Sequence, residues 1–177
     1  MENWTWQWAI FIAGIAFAIY VVFFVIVLSF SLVFKKKISK RILAINLLLT
    51  QRHDVLFLID KLFVSNGIKI QPYVAGYLRD STHFDDGDID KKTRDDMREN
   101  LNRASQAFMY LADQNEIVKN NPNFIDYCKT LNELDDNYRQ NVAIYNSDIS
   151  GYNYWVNFIG YRFLLRLFRL KKKDIIV

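Results

Sequence analysis

Few side chains in this chain could do chemistry. There are two histidines, His53 and His83, and one cysteine, Cys128. A zinc hydrolase would want His-Glu-x-x-His on one helical face. A serine hydrolase would want Gly-x-Ser-x-Gly, and a nucleotide enzyme a glycine-rich phosphate loop. None of these patterns occurs. A lone cysteine excludes an internal disulfide and suits a reducing compartment, and such a residue ordinarily packs as a small apolar group. The carboxylates Glu133, Asp135 and Asp136 have no histidine beside them. The run His83-Phe84-Asp85-Asp86-Gly87-Asp88-Ile89-Asp90 suggests calcium, but it lacks the D-x-[DN]-x-[DN]-G order and a closing glutamate. Its aspartates better suit the N-terminus of a following helix. The expectation is a protein without catalytic residues, cofactor or metal.

The elements that hold these residues begin with an apolar run, Ala9 to Phe34, whose only polar side chains are Tyr20, Ser29 and Ser31. About 20 apolar residues cross a bilayer core of about 30 Å. This run is long enough to span with tilt. A soluble core helix of that length would show polar residues on part of its circumference. A cleaved signal peptide would have a basic start, a shorter core and a small-residue cleavage site. Here the start is MENWTWQW, with Glu2 and no Lys or Arg, and the run ends in Lys35-Lys36-Lys37. An uncleaved anchor is expected. Trp4, Trp6 and Trp8 crowd its front edge, where amphipathic rings favour the lipid–water interface. Lysine and arginine mark the cytoplasmic side, so the N-terminus should lie outside and the rest inside.

The formal net charge of +4 hides an asymmetry. Five cations lie between Lys35 and Arg41 and six more between Arg162 and Lys173 (Arg162, Arg166, Arg169, Lys171, Lys172, Lys173). That leaves twelve cations against seventeen carboxylates in residues 42–161. Nucleic acid would want the positive charge on the folded body. Here the body is acidic and the basic flanks suit a membrane surface, so no nucleic-acid partner is expected.

After the anchor, Ile38, Ile42, Ile45, Leu49, Leu56, Ile59 and Phe63 recur at helical spacing. Arg52 falls on that stripe: either its head reaches out to water, or it pairs with an acid from another helix. Ser65-Asn66-Gly67 should close the helix through a left-handed residue. A shorter helix is expected from Pro72 to Ser81. A third should run from Ile89 or Asp90 to Asn120, with Met97, Leu101, Ala104, Phe108, Leu111 and Ile117–Val118 inward. Pro122 should open a fourth, whose seam is Phe124, Tyr127/Cys128, Leu131, Leu134, Tyr138, Val142, Tyr145, Ile149, Tyr152 and Val156. That spacing is close to the 3.5 of a bundle seam. Tyr145-Asn146 and Tyr152-Asn153 repeat seven residues apart, so they share a face and should fix register through hydrogen bonds. Beyond Tyr154, Arg162, Arg166, Arg169 and Lys173 stand at i, i+4, i+7 and i+11 of an amphipathic, interfacial helix.

With these motifs in view the chain resembles the LemA family. Ile45-Asn46 followed by Gln51-Arg52-His53-Asp54, then Asn121-Pro122-Asn123-Phe124, then Tyr145-Asn146-x5-Tyr152-Asn153, are similar in order and spacing to the family's patterns from Ile38 to Phe168. The resemblance implies one N-terminal membrane helix, an antiparallel helical bundle and no established catalytic activity. The family usually has Arg before the first Tyr-Asn and Pro soon after the second; this chain has Val142-Ala143 and Tyr154-Trp155-Val156. The second departure implies a straighter last helix.

The expected architecture is all-α. It has an outer segment at 1–8, a transmembrane helix at 9–34, a cytoplasmic antiparallel four-helix bundle at 35–160 and a basic amphipathic tail at 161–177. The motif residues Arg52, His53, Asp54, Asn123, Phe124, Tyr145, Asn146, Tyr152 and Asn153 are expected to be structural. Lys35, Lys36, Lys37 and the basic tail residues should meet the membrane surface. The expected partners are membrane lipids, a protein at the inner face and a second copy of the chain, the last suggested by Gly14-x3-Ala18. The functional readings are a partner-binding scaffold, a membrane-shaping or self-associating scaffold, and, least favoured, a metal enzyme.

Overall fold

A computed structural model describes residues 2–80, 91–158 and 160–176, with the side chains of residues 2–5 and of Asp80 outside the description. The expectations for the 83–90 acidic run and for the Trp4 ring therefore fall outside the described residues. The chain is helical, and no strand occurs among the described residues. In order, the helices are α1 (Glu2–Ser65), α2 (Pro72–Asp80), α3 (Lys91–Asp113), α4 (Glu116–Lys119), α5 (Pro122–Val156) and α6 (Arg162–Leu167). The apolar run and the helix expected after it are thus one continuous element, because nothing between Phe34 and Ile38 breaks a helix. Near the N-terminus α1 is long and apolar enough to cross a membrane.

Packing groups the chain on different lines from composition. One compact unit is Met1–Arg41 with Ala143–Val177, here the terminal unit; the other is Ile42–Val142, the central unit.

In the central unit the α1 stripe is buried through Ile45, Leu49, Leu56, Ile59 and Phe63. Phe63 stacks on Phe108 of α3 with centroids 5.7 Å apart and meets Phe124 of α5 edge-on at 6.1 Å. Each such side chain, once buried, contributes about 1.5–3 kcal/mol. The helix stops where expected. Gly67 takes a positive φ of 73°, and the amides of Ile68 and Gly67 donate to the carbonyls of Phe63 and Val64. That pair of bonds satisfies two orphan carbonyls of the last turn.

The third helix differs from expectation. It ends at Asp113 rather than Asn120, and α4 is a separate turn. The breaker is Asn115, with extended φ −132° and ψ 93°. Its side-chain amide donates to the Leu111 carbonyl at 2.9 Å, competing with the main chain for a helical acceptor. The break also turns the core face. Val118 is buried, whereas Ile117 is exposed and Ala112 lies deeper than Leu111. Asn121 Oδ1 then accepts from the Asn123 amide at 2.9 Å, and Pro122 occupies the first turn of α5.

In the terminal unit α1 is covered on one stripe only. Val27, Ser31 and Ile38 are buried and Phe24 and Phe34 half-buried, while every residue from Trp6 to Phe23 is exposed. The Ser29 and Ser31 hydroxyls donate to the Val25 and Val27 carbonyls one turn back, which removes their polarity from the surroundings.

Candidate functional site

Two polar constellations are built into these seams. The first lies in the central unit around Arg52, which is buried. Its Nη1 donates to Asn102 Oδ1 of α3 at 2.7 Å. Its Nε stands 3.2 Å from Asp135 Oδ1 of α5, angled as an ion pair rather than a hydrogen bond. The sequence left open whether Arg52 escapes to water or pairs with an acid; it pairs. Burial pulls the guanidinium below the usual arginine value, the Asp135 carboxylate pushes back up, and the neighbouring Arg98 adds to the lowering. A second buried arginine, Arg94, donates from Nε to Asn46 Oδ1 at 2.8 Å. Arg98 lies over the Tyr138 ring, 5.3 Å from its centroid. The Tyr138 hydroxyl is buried with no hydrogen-bond partner among the described residues, and burial raises its pKa.

The neighbouring motif residues are supports. His53 Nε2 is 3.2 Å from the Leu78 carbonyl of α2, its Nδ1 is 3.5 Å from Asp54 Oδ1, and its ring stacks on Phe57. Asn123 contributes its main-chain amide to the α5 start, and Phe124 its ring to the core. Cys128 Sγ sits 3.9 Å from Met109 Sδ, and burial raises its thiol, the opposite of what a nucleophile needs. Among the described residues no three His, Cys, Asp or Glu side chains converge as metal ligands would.

The second constellation lies in the terminal unit, on the heptad-spaced pairs of α5. Asn153 donates from Nδ2 to the Lys173 carbonyl at 2.8 Å and accepts from the Lys173 amide at 2.9 Å. Asn146 does the same with Ile176, at 2.7 and 2.9 Å. Each carboxamide thus pairs with one main-chain unit as a second peptide would. Tyr145 and Tyr152, one residue before each asparagine, are buried. The sequence pattern predicts a register fixed through hydrogen bonds on a bundle seam. The partner is instead an extended segment after Leu170, in which Leu170 and Ile176 are buried and Lys173 is half-buried, with exposed residues between. A period of three is that of polyproline II, with about 3.1 Å per residue.

The basic tail is therefore not one helical face. α6 ends at Leu167, and Arg169 adopts φ 56°. The amides of Leu170 and Arg169 donate to the carbonyls of Leu165 and Arg166, the same closure that ends α1. Leu165 and Leu170, the two positions this closure brings together, are both fully buried. Arg162 and Arg166 remain on a helix, Arg169 sits in the turn, and Lys171, Lys172 and Lys173 belong to the extended segment. Lys35, Lys36 and Lys37 are exposed on α1, with Lys37 Nζ 5.4 Å from the Phe34 ring centroid.

The tail meets α1 through aromatic rings. Trp155 stacks on Phe30 at 4.9 Å, and Tyr161 lies 4.7 Å from Tyr20 and 5.8 Å from Phe24. Tyr20 and Tyr161 each donate a hydroxyl to a main-chain carbonyl, Gly160 and Tyr20 respectively. Gly151 faces Phe34 so closely that a Cβ there would stand 2.8 Å from the ring. An open cavity of about 620 Å³ flanks this region, walled by Ser150, Asn153, Tyr154, Asn157, Phe158 and Lys172. Sequence reasoning missed Asn102, Gly151 and the main chain of Lys173 and Ile176. Arg52 on an apolar stripe did signal that an acceptor must exist. Comparison with family models, curated proteins and solved structures gives no match to this chain.

Proposed function

We propose that this chain is a single-pass membrane protein of the LemA type, without catalytic activity, that acts as a scaffold or partner-binding module at the inner face of the cell membrane. The observation that carries this reading is the bare stretch of α1. From Trp6 to Phe23 each side chain is exposed and nearly all are apolar, a surface that water disfavours and lipid tails accept. The five cations that follow, Lys35 to Arg41, favour an N-terminus outside and a C-terminal domain in the cytoplasm. Four pairings support an antiparallel bundle for the acidic body: Phe63 with Phe124, Arg52 with Asp135, Met109 with Cys128, and Arg98 with Tyr138.

Apart from the Tyr138 hydroxyl, the buried polar groups described in that body hold helices together. A partner protein would therefore meet its outer, charged face. The test is fractionation with topology mapping. The full chain should stay in the membrane pellet after alkaline carbonate, and a tag after Val177 should be cut by protease only once the cell is opened. Recovery in the soluble fraction without detergent, or a tag cleaved on intact cells, would overturn the reading.

One observation favours a second reading, a membrane-shaping or self-associating scaffold. Phe163, Leu167 and Phe168 are exposed beside the tail arginines, so this edge can enter a leaflet.

A further inference from the structure

We infer that the terminal unit carries a pocket for the phosphate of an anionic phospholipid headgroup. Arg162, Arg166, Lys171 and Lys172 line one cavity of about 480 Å³, with Val156, Asn157 and Leu170 completing its wall. Among the described residues no carboxylate lines it, and none of the four cations makes an ion pair. Four like charges around one hollow repel unless an anion sits among them. The fold works to gather them, because the left-handed turn at Arg169 brings Lys171 and Lys172 back beside α6. That conformation is unfavourable for a residue other than glycine. Two arginine forks and two lysine point charges suit a phosphodiester.

The level of the pocket along the anchor selects a lipid over free phosphate. The bare stretch of α1, Trp6 to Phe23, is about 27 Å long at about 1.5 Å per residue, close to a bilayer core of about 30 Å. The loop bearing the pocket meets α1 at Tyr20 and Phe24, the lower end of that stretch, through Tyr161 and Phe168. Below it one stripe of α1 is covered while Val25, Phe30, Leu32 and Val33 stay exposed, so the headgroup level is set by the tail that packs on α1 there. Phe163 and Leu167 alternate with the two arginines and are 74% and 69% exposed. Apolar side chains pointing out between arginines is the arrangement of the acyl–headgroup boundary. The inner leaflet phosphates then lie at α6. Lys35–Lys37 stand about 18 Å further along α1, at about 1.5 Å per residue. This pocket rests on the membrane reading above.

The test uses the full chain in a non-ionic detergent, with bound lipid counted by native mass spectrometry. The probes are dihexanoyl phosphatidylglycerol, dihexanoyl phosphatidylcholine and inorganic phosphate. Phosphatidylglycerol should be retained over phosphatidylcholine. The double variant Arg162→Gln/Arg166→Gln should lose about tenfold or more of that retention, at roughly the free energy of one surface cation per arginine. The triple variant Lys35→Gln/Lys36→Gln/Lys37→Gln should keep it, and an unchanged far-ultraviolet helical signal shows that each variant folds. Equal retention of both lipids, no loss in the arginine variant, or the same loss in the lysine variant would overturn the pocket. Displacement of phosphatidylglycerol by millimolar inorganic phosphate would make this a free-phosphate site and overturn the lipid assignment. Release of the chain by carbonate would sink the membrane reading alone, since the pocket is judged in detergent.

Discussion

In the central unit the seam of α1 carries Arg52; in the terminal unit the seam of α5 carries Asn146 and Asn153. All three are polar side chains at positions where apolar residues are the rule. Arg52 is answered by side chains, Asn102 and Asp135, from two other helices. The asparagines are answered by main chain, each pairing twice with an extended residue. A charged group on a seam can be satisfied only by chemistry elsewhere in the sequence, so it ties together particular helices. A carboxamide matches any peptide unit, so it can hold a segment whose own side chains are indifferent. The first arrangement specifies which helices meet; the second specifies only where an extended segment lies.

The comparison can be broken most sharply at Asp135. Asp135→Ala leaves the Arg52 guanidinium buried with Asn102 alone. It should cost about 3 kcal/mol, at the low end for such losses because Asp135 is partly exposed. Thermal unfolding of the full chain in detergent measures it. Arg52→Met together with Asp135→Leu should recover most of that loss, because no charge is then stranded. A loss as large in the double variant would mean that the pair itself, not its imbalance, matters.

Asn153→Ala should act locally instead. It removes two hydrogen bonds of about 1 kcal/mol each, so amide exchange at Lys173 should quicken by about thirtyfold while the main unfolding transition barely moves. Asn153→Asp keeps the acceptor and loses the donor, and should fall between. Arg169→Gly should go the other way, slowing exchange at Leu170 by a gain of about 1 kcal/mol, since glycine adopts φ 56° without strain.

The smallest effect belongs to Asp60, half-buried on α1, whose carboxyl is raised above the usual carboxylate range by desolvation. The folded state then holds that proton more tightly than the unfolded state, so stability falls as pH rises through the folded value. Asp60→Asn should raise the melting temperature at pH 7. The difference should fade below about pH 4, where both states are protonated.

Most of the helices were legible before the structure. Ile45, Leu49, Leu56, Ile59 and Phe63 announced their stripe, Asn66-Gly67 its end, and Pro122 the start of the longest seam. Those signals are local and repeat with the helical period. Asn115 hid its break because asparagine is common enough inside helices, and only its bond to Leu111 shows which way the competition went. The tail misled for a related reason. Arg162, Arg166, Arg169 and Lys173 do fall on a helical face, but buried Leu170 stabilises a reversal that periodicity of charge cannot register. The partners of Asn146 and Asn153 were invisible, because a main-chain acceptor leaves no mark in the sequence.

The two rulers that meet on α5 have different units. Seven helical residues advance about 10.5 Å, and three residues of threefold extended chain about 9.3 Å. One step apart, Asn146 and Asn153 can absorb that mismatch. A further step would accumulate about 2 Å, beyond what a hydrogen bond tolerates. The scales work as a vernier. They coincide at one setting, so sliding the extended segment by a single residue would bring both asparagines out of coincidence together.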